Sequence, residues 1–490
     1  MNTIQDTYFA RKFSLTLYKN LKLSLGEMSF YKDFVRDRRG DLYPLLESCG
    51  SFTETVADGL YRFRAADEGA CAVRLIGQHF PYATYEITPE SLDGTLGLCL
   101  RQPDGAEARL VFVGKEGRLY VDGYPSESEE FVPGMSLIIT CRGKNFDIYL
   151  KTDGFPKFFR SVCVPAFADI CREKIFTQTA AALYVSGEVS LRAVRFYMDC
   201  GVSQADMRPI RCENGEVLTE NGKIYLTVSV RMQEECYQGI LSWVPGTSEF
   251  ALTGALFYDA GDGVWGNDVA ASVLYHRKRK CWYLWVCSFC HGHRLAHAVF
   301  EGDIRFGVNV VDVTLMPPLP ADGDDTLFLG KEGDEDPDFL FDEASGKWLM
   351  TVCRLKTDQS GTNYRYFLFE SEHPFEGYRF VSHAQSGAET GGSIVRDGGG
   401  LAFVCGSGFD RRAEYHVYRL PDLSSYRLMQ CDYDDGGFRG WGTVIPLTLG
   451  SRRRLFWLTF DRHNASDYTW SYGNLYCFEG VREEIPEKMS

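Results

Sequence analysis

Five runs of one form decide the fold: GKIYLTVSVR (222–231), KCWYLWVCSF (280–289), GKWLMTVCRL (346–355), GGLAFVCGSG (399–408) and RRLFWLTFDR (453–462). Each starts on glycine or a basic residue and continues as an apolar, β-branched and aromatic strand. Successive starts lie 58, 66, 53 and 54 residues apart, and a second apolar run follows each: GILSWV, LAHAVFE, YRYFLFE, YHVYRL and NLYCFE. A repeat of that length holds about four short strands, too thin a sheet to bury both of its faces alone. Five such sheets set radially cover one another, so residues 204–490 are expected to form a five-bladed β-propeller.

Upstream, residues 48–203 alternate apolar and polar residues in short runs such as YATYEI, TLGLCLRQ, ARLVFVG, SLIITCRG and FDIYLKTDG, with Gly, Asp or Pro between most of them. That spacing predicts a jelly-roll β-sandwich. Its end, a strand through Ala180–Ser186 followed by Val189–Asp199, resembles the concanavalin-like sandwiches attached to carbohydrate-active enzymes. Residues 1–47 carry the charged cluster KDFVRDRRGD and read as a separate N-terminal segment without chemistry. The expected fold class is all-β, a propeller plus a sandwich.

Composition agrees with this division. A chain of 490 residues exceeds the ~250–300 that one core supports. Aromatic residues are 14% of the chain and glycines number 49, which favours strands and tight turns over helix bundles. Lys and Arg total 52 against 67 Asp and Glu, a net charge of −15, so nucleic acid is not an expected partner. No apolar run approaches the ~18–20 residues of a membrane span, and the opening MNTIQDTYFARKFSLTLYKN lacks the order of a secretory signal. The 16 cysteines lie mostly inside apolar strands, as reduced core residues of a cytoplasmic protein would.

Acidic residues recur just ahead of the repeated strands. Asp268, Asp336 and Glu389 precede theirs by 12, 10 and 10 residues, and Asp206 precedes its own by 16. Equivalent positions near the start of inner strands converge on a propeller axis, so Asp268, Asp336 and Glu389 are expected together at one mouth of the channel. Carboxylates crowded in this way raise the pKa of at least one of them, as a general acid near neutral pH requires.

At these residues the sequence resembles the five-bladed propeller glycosidases of the arabinanase, arabinofuranosidase, xylosidase and fructosidase group. Asp336-Pro337-Asp338-Phe339, followed by Gly346-Lys347-Trp348, looks like that family's second-blade Asp-Pro motif. Glu389, followed by Gly392-Ser393-Ile394, looks like its third-blade acid motif. The resemblance implies an exo-acting, inverting glycoside hydrolase that takes oligosaccharides and needs no cofactor. Asp268 would activate water, Asp336 would tune pKa and orient the substrate, and Glu389 would protonate the leaving oxygen. In that family the base lies in the first blade, whereas Asp268 falls in the second repeat. Asp206 is the alternative if the mapping slips by one blade, and Asp338 could replace Asp336. The family also implies that a His can hold a cation in the central channel. A retaining fructosidase-like hydrolase, a glycoside phosphorylase and a non-catalytic glycan-binding propeller are the rival readings.

Residues near these acids are suited to sugar. Trp265 and Asn267 flank Asp268, His291 and His293 leave the inner part of the same blade, and Arg439 with Trp441 stands where the fifth repeat lacks an acid. Arg462 and His463 follow the fifth repeated strand. Trp stacks on a sugar ring, and Arg donates hydrogen bonds to hydroxyls. The run Cys287-Ser-Phe-Cys290-His291 matches a haem-attachment pattern, but a strand would place its cysteines on opposite faces and no second pair completes a zinc site, so no metal is assigned.

Overall fold

Each repeated run becomes the second strand of an antiparallel sheet. The computed structural model describes residues 3–25, 44–320, 333–358, 361–385, 389–398, 400–407, 414–432, 437–450, 452–462 and 474–481. The first blade is Ser203–Pro209, Lys223–Arg231, Cys236–Trp243 and Phe250–Asp259, and the second is Val269–His276, Cys281–Ser288 and Arg294–Phe300 with Thr314–Leu315 at its edge. The third is Asp334–Asp342, Lys347–Asp358, Gly361–Ser371 and Arg379–His383; the fourth is Glu389–Asp397, Gly400–Ser407, Tyr415–Arg419 and Asp422–Leu428. The fifth comprises Phe438–Leu449, Arg452–Asp461 and Asn474–Val481, and its outer strand is Tyr8–Thr16 from the other end of the chain.

The five inner strands neighbour one another in a closed ring, the fifth returning to the first. Strands such as Cys281–Ser288 are buried along their whole length because both faces of a blade meet another blade. Separate apolar clusters fill the spaces between the first and second, second and third, third and fourth, and fourth and fifth blades. Burial of that apolar area is the main stabilising term of such a ring.

Two arginines join the inner strands through their backbones. Arg208 donates to the carbonyls of Ala270 (2.9 Å), Asp336 (3.3 Å) and Gly392 (3.2 Å), one each on the second, third and fourth blades. Arg211 donates to the Ile394 carbonyl (2.5 Å) and the Phe339 carbonyl (3.3 Å), and forms a buried ion pair with Asp338. Asp338 also accepts from Ser272 Oγ and from the Ile394 N–H, both at 2.6 Å. Asp338 is therefore a structural ion, and its expected alternative role as an acid is corrected.

Two other expectations change. Residues 1–47 are not one separate segment. Met1–Leu21 clusters with the propeller, where Tyr8–Thr16 pairs with Asn474–Val481 and Phe9 packs edge-on against Trp457. The second unit runs from Lys22 to Asp199 rather than 48–203, and also includes Gly263–Trp265.

That second unit is a single network of 13 strands over one core. Its spine is the antiparallel pair Thr84–Arg101 and Ala180–Asp199, so the two short strands expected at its end are one strand of 20 residues. At Gly94 and Gly187 the two backbones come so close that a Cβ on Gly94 would lie 2.2 Å from the Ser186 carbonyl. On one side of this point the pair is flanked by Cys71–Gln78 and Glu107–Lys115, and on the other by Leu60–Ala65 and Ser136–Arg142. Side chains from both parts share the core. Trp265 packs edge-on within this unit against Phe176 (4.5 Å) and Phe80 (5.3 Å).

Replacing Arg211 by Met should lower propeller stability by about 3–5 kcal/mol, because Asp338 would stay buried without its partner. The double change Arg211→Met with Asp338→Leu should recover much of that loss. Urea midpoints of the two single variants and the double variant check the coupling, which vanishes if the losses simply add.

Candidate active site

All five inner strands break register at one place, between Ala205 and Arg208, Val269 and Ser272, Glu335 and Asp338, Thr390 and Ser393, and Arg439 and Thr443. In the first four the break contains a residue of left-handed backbone: Asp206 (φ 52°), Ala270 (φ 59°), Asp336 (φ 50°) and Gly391 (φ 64°). Such a bulge re-aims the side chain at that point and carries strain in a non-glycine residue. Asp tolerates this region better than most residues. At Gly391 only glycine fits, because a Cβ would meet the Gly440 carbonyl at 1.9 Å.

These bulges fix the true equivalences. Asp206 and Asp336 share the bulge position, whereas Asp268 and Glu389 stand two residues before it, level with Gln204 and Asp334. Counting to the repeated strand concealed this, because the first hairpin carries the extra pairs Arg211–Cys212 and Thr219–Glu220.

Asp206 and Asp336 both line a cavity of about 390 Å³. Asp206 accepts a hydrogen bond from Ser229 Oγ (2.6 Å), and burial followed by the charge of Asp336 pushes its carboxyl up to about 6, against the opposing pull of Arg231. Asp336 accepts from Thr390 Oγ1 (2.8 Å) and the Gly391 N–H (3.0 Å), which anchor its carboxylate across to the fourth blade. Glu335 also lines the cavity and pairs with His293 Nδ1 at 2.6 Å. Burial, with Asp336 adding to it, raises the Glu335 carboxyl above its ordinary value against the pull of His293.

Asp268 and Glu389 turn away from this cavity. Asp268 is 2% exposed and accepts from the Cys290 N–H at 3.4 Å within its own blade; burial raises its pKa. Glu389 is fully buried, its carboxylate bonded to His416 Nδ1 (2.6 Å) and Tyr418 Oη. The expected convergence of Asp268, Asp336 and Glu389 is thus replaced by Asp206, Asp336 and Glu335.

Among the other expected residues, Asn267, His293 and Trp441 line the cavity. The guanidinium groups of Arg231 and Arg439 lie 4.8 and 5.3 Å from the centre of the Trp441 ring. His291 instead meets Ser288 Oγ at 2.8 Å, and Arg462 donates to the Phe438 carbonyl at 3.1 Å. Trp265 belongs to the second unit, and His463 lies outside the described residues. Cys287 and Cys290 face different partners, the Asp334 carbonyl and Asn267 Oδ1, so the cysteine pair is not a chelate. Glu335 reads in the sequence as a turn or surface acid, which its place in the cavity corrects, and Arg231, Glu234, Glu235 and Tyr364 line the cavity without having been singled out, although Arg231 ends the first repeated run.

The sequence matches no known family model and no curated protein. Among solved structures it is similar to a GH43 β-1,3-galactosidase with galactodeoxynojirimycin, at 12% identity and TM-score 0.37 over 56% of this chain and 94% of that one. It is also similar to the Penicillium chrysogenum α-L-arabinanase complexed with arabinobiose, at 9% identity and TM-score 0.33 over 71% and 89%. A third is the Podospora anserina α-L-arabinofuranosidase in complex with cellotriose, at 11% identity and TM-score 0.38 over 57% and 91%. The chemistry of the site is read from its own side chains.

Asp206 has a folded pKa of about 6 against an ordinary 3.8, so the folded state holds this proton more tightly than the unfolded chain. Its contribution to stability is complete below about pH 4 and is lost as pH rises through about 6. Asp206→Asn should therefore stabilise the protein at pH 7.5 by on the order of 2 kcal/mol and flatten the pH dependence between 4 and 6. Thermal melts across that range check the sign.

Proposed function

We propose that the propeller is a glycoside hydrolase acting on the end of an oligosaccharide, with Asp206, Asp336 and Glu335 as its working carboxyls. The observation that carries this reading is the pairing of Asp206 and Asp336, matched bulge residues on two blades of one ring, at a single cavity. A base works best with a pKa near the operating pH, and Asp206, raised to about 6 by burial and by Asp336, meets that condition. In this scheme Asp206 takes the proton from water, Asp336 sets its pKa, and Glu335 donates a proton to the departing oxygen. The role that the family resemblance gives to its first-blade acid then falls on the first blade, which Asp268 did not satisfy.

Glu335 suits the donor role because burial favours its neutral form and His293 lies 2.6 Å away to return the proton. Arg231 and Asn267 at the cavity wall offer hydrogen bonds to sugar hydroxyls, and Trp441 packs beneath the Arg231 guanidinium. A pocket of this volume, rather than a long groove, favours a terminal sugar unit. Displacement of a bond by water with separate base and acid gives inversion.

Activity should rise as pH passes through about 6, when Asp206 becomes a base. Asp206→Asn and Asp336→Asn should each lower kcat roughly 10²–10⁴-fold on all substrates. Glu335→Gln should cost as much on alkyl glycosides but little on aryl glycosides with good leaving groups. A panel of aryl and alkyl furanosides and pyranosides, with NMR of the first-formed anomer, tests all three. Sugar binding without turnover by the wild-type protein would leave a glycan-binding propeller instead.

A further inference from the structure

Glu389, displaced from the cavity, takes part in a second constellation. It begins the inner strand of the fourth blade, Cys405 lies on the second strand and His416 on the third, with Cys405 and His416 directly opposite in register. All three are buried, and a carboxylate oxygen, the Cys405 Sγ and a His416 ring nitrogen lie within 4.8 Å of one another. Among the described residues it is the one such trio. Glu389 Oε1 takes both hydrogen bonds, from His416 Nδ1 and from Tyr418 Oη, while Oε2 is buried with no hydrogen-bond partner. A carboxylate oxygen left bare in an apolar interior is costly, and a buried one in a folded protein requires an explanation.

The geometry points to a buried zinc site formed by Glu389, Cys405 and His416. Carboxylate, thiolate and imidazole are the donor set that Zn²⁺ takes, and three adjacent strands hold them rigidly. Bound there, the ion satisfies Oε2 and offsets the carboxylate charge. The surroundings fit a ligated His416: Tyr426 stacks on its ring at 3.8 Å, and Glu414 Oε2 lies 3.5 Å from Nε2. With Nδ1 on the metal, Nε2–H faces that carboxylate, the arrangement that orients metal-bound histidines. The ion replaces one proton, that of the Cys405 thiol, which passes to solvent, while the single proton of the neutral His416 ring moves from Nδ1 to Nε2. Because a thiol must lose its proton to bind the ion, uptake strengthens as pH rises. The three side chains supply three of the four positions of a tetrahedral ion, and the site sits between the third and fourth blades, apart from the proposed hydrolysis.

The test is Co²⁺ titration of the chelator-treated full chain. One equivalent should bind, with a thiolate charge-transfer band in the near ultraviolet, and Zn²⁺ should displace it. Cys405→Ser should abolish the band and weaken binding at least tenfold, while Cys290→Ser, beside the other histidines, leaves both unchanged. No stoichiometric binding, or a band that survives Cys405→Ser and disappears in Cys290→Ser, overturns the proposal. If Cys405→Ser does not fold, X-ray absorption of the wild-type zinc protein decides: one sulfur with nitrogen and oxygen ligands supports the site, and a shell without sulfur removes it.

Discussion

The guanidinium groups of Arg208 and Arg211 bind together inner strands that belong to separate sheets. Between them they reach backbone carbonyls on the second, third and fourth blades, and Asp338 neutralises Arg211. A buried charge is tolerated only when its donors are satisfied and an opposite charge is near. Carbonyls supply the first condition for Arg208. The charges of Asp336, Asp338 and Asp206 supply the second and raise its pKa despite burial. This cation therefore belongs to the channel's architecture and to the electrostatics of the cavity at once.

That dual role bears on how two aspartates can share one cavity. Burial and repulsion from Asp336 push Asp206 up, and Arg231, Ser229 and Arg208 pull it back, so that it settles near 6 rather than remaining protonated throughout the neutral range. The bulges are what aim both side chains into the cavity. Their left-handed backbone is strained for a residue other than glycine, and the ring around Arg208 holds it in place.

Much of this architecture was legible in the sequence. The blade strands are buried on both faces, so the repeats read as near-continuous apolar runs at a regular period. The outer strand Tyr8–Thr16 was not legible, since its partner lies at the far end of the chain and its burial is partial. Nor could the sequence reveal that Gly263–Trp265 clusters with the second unit: a tryptophan three residues before an aspartate gives no sign of which core it enters. Of the acids singled out in the sequence, Asp206 and Asp336 line the cavity and Asp268 and Glu389 do not. Distance to the next strand includes hairpins of unequal length, whereas the bulge, invisible in composition, is the reference that aligns them.

Once aligned on the bulge, the buried acids fall into two kinds by position. At the bulge itself, Asp206 and Asp336 face the cavity. Two residues earlier, Asp268, Asp334 and Glu389 face into the sheets, where Asp334 pairs with Arg354 at 2.8 Å, Asp268 meets the Cys290 N–H and Glu389 meets His416 and Tyr418. The inward position demands a partner of opposite or donating character, and each blade has found a different one: guanidinium, backbone amide, or imidazole with phenol. Asp334 has a full cation beside it, whereas Glu389 has the Cys405 thiol nearby and, among the described residues, no hydrogen-bond donor placed on Oε2. The groups that meet the cavity are the two bulge aspartates and Glu335 just before one of them, and the buried set of Glu389, Cys405 and His416 lies behind.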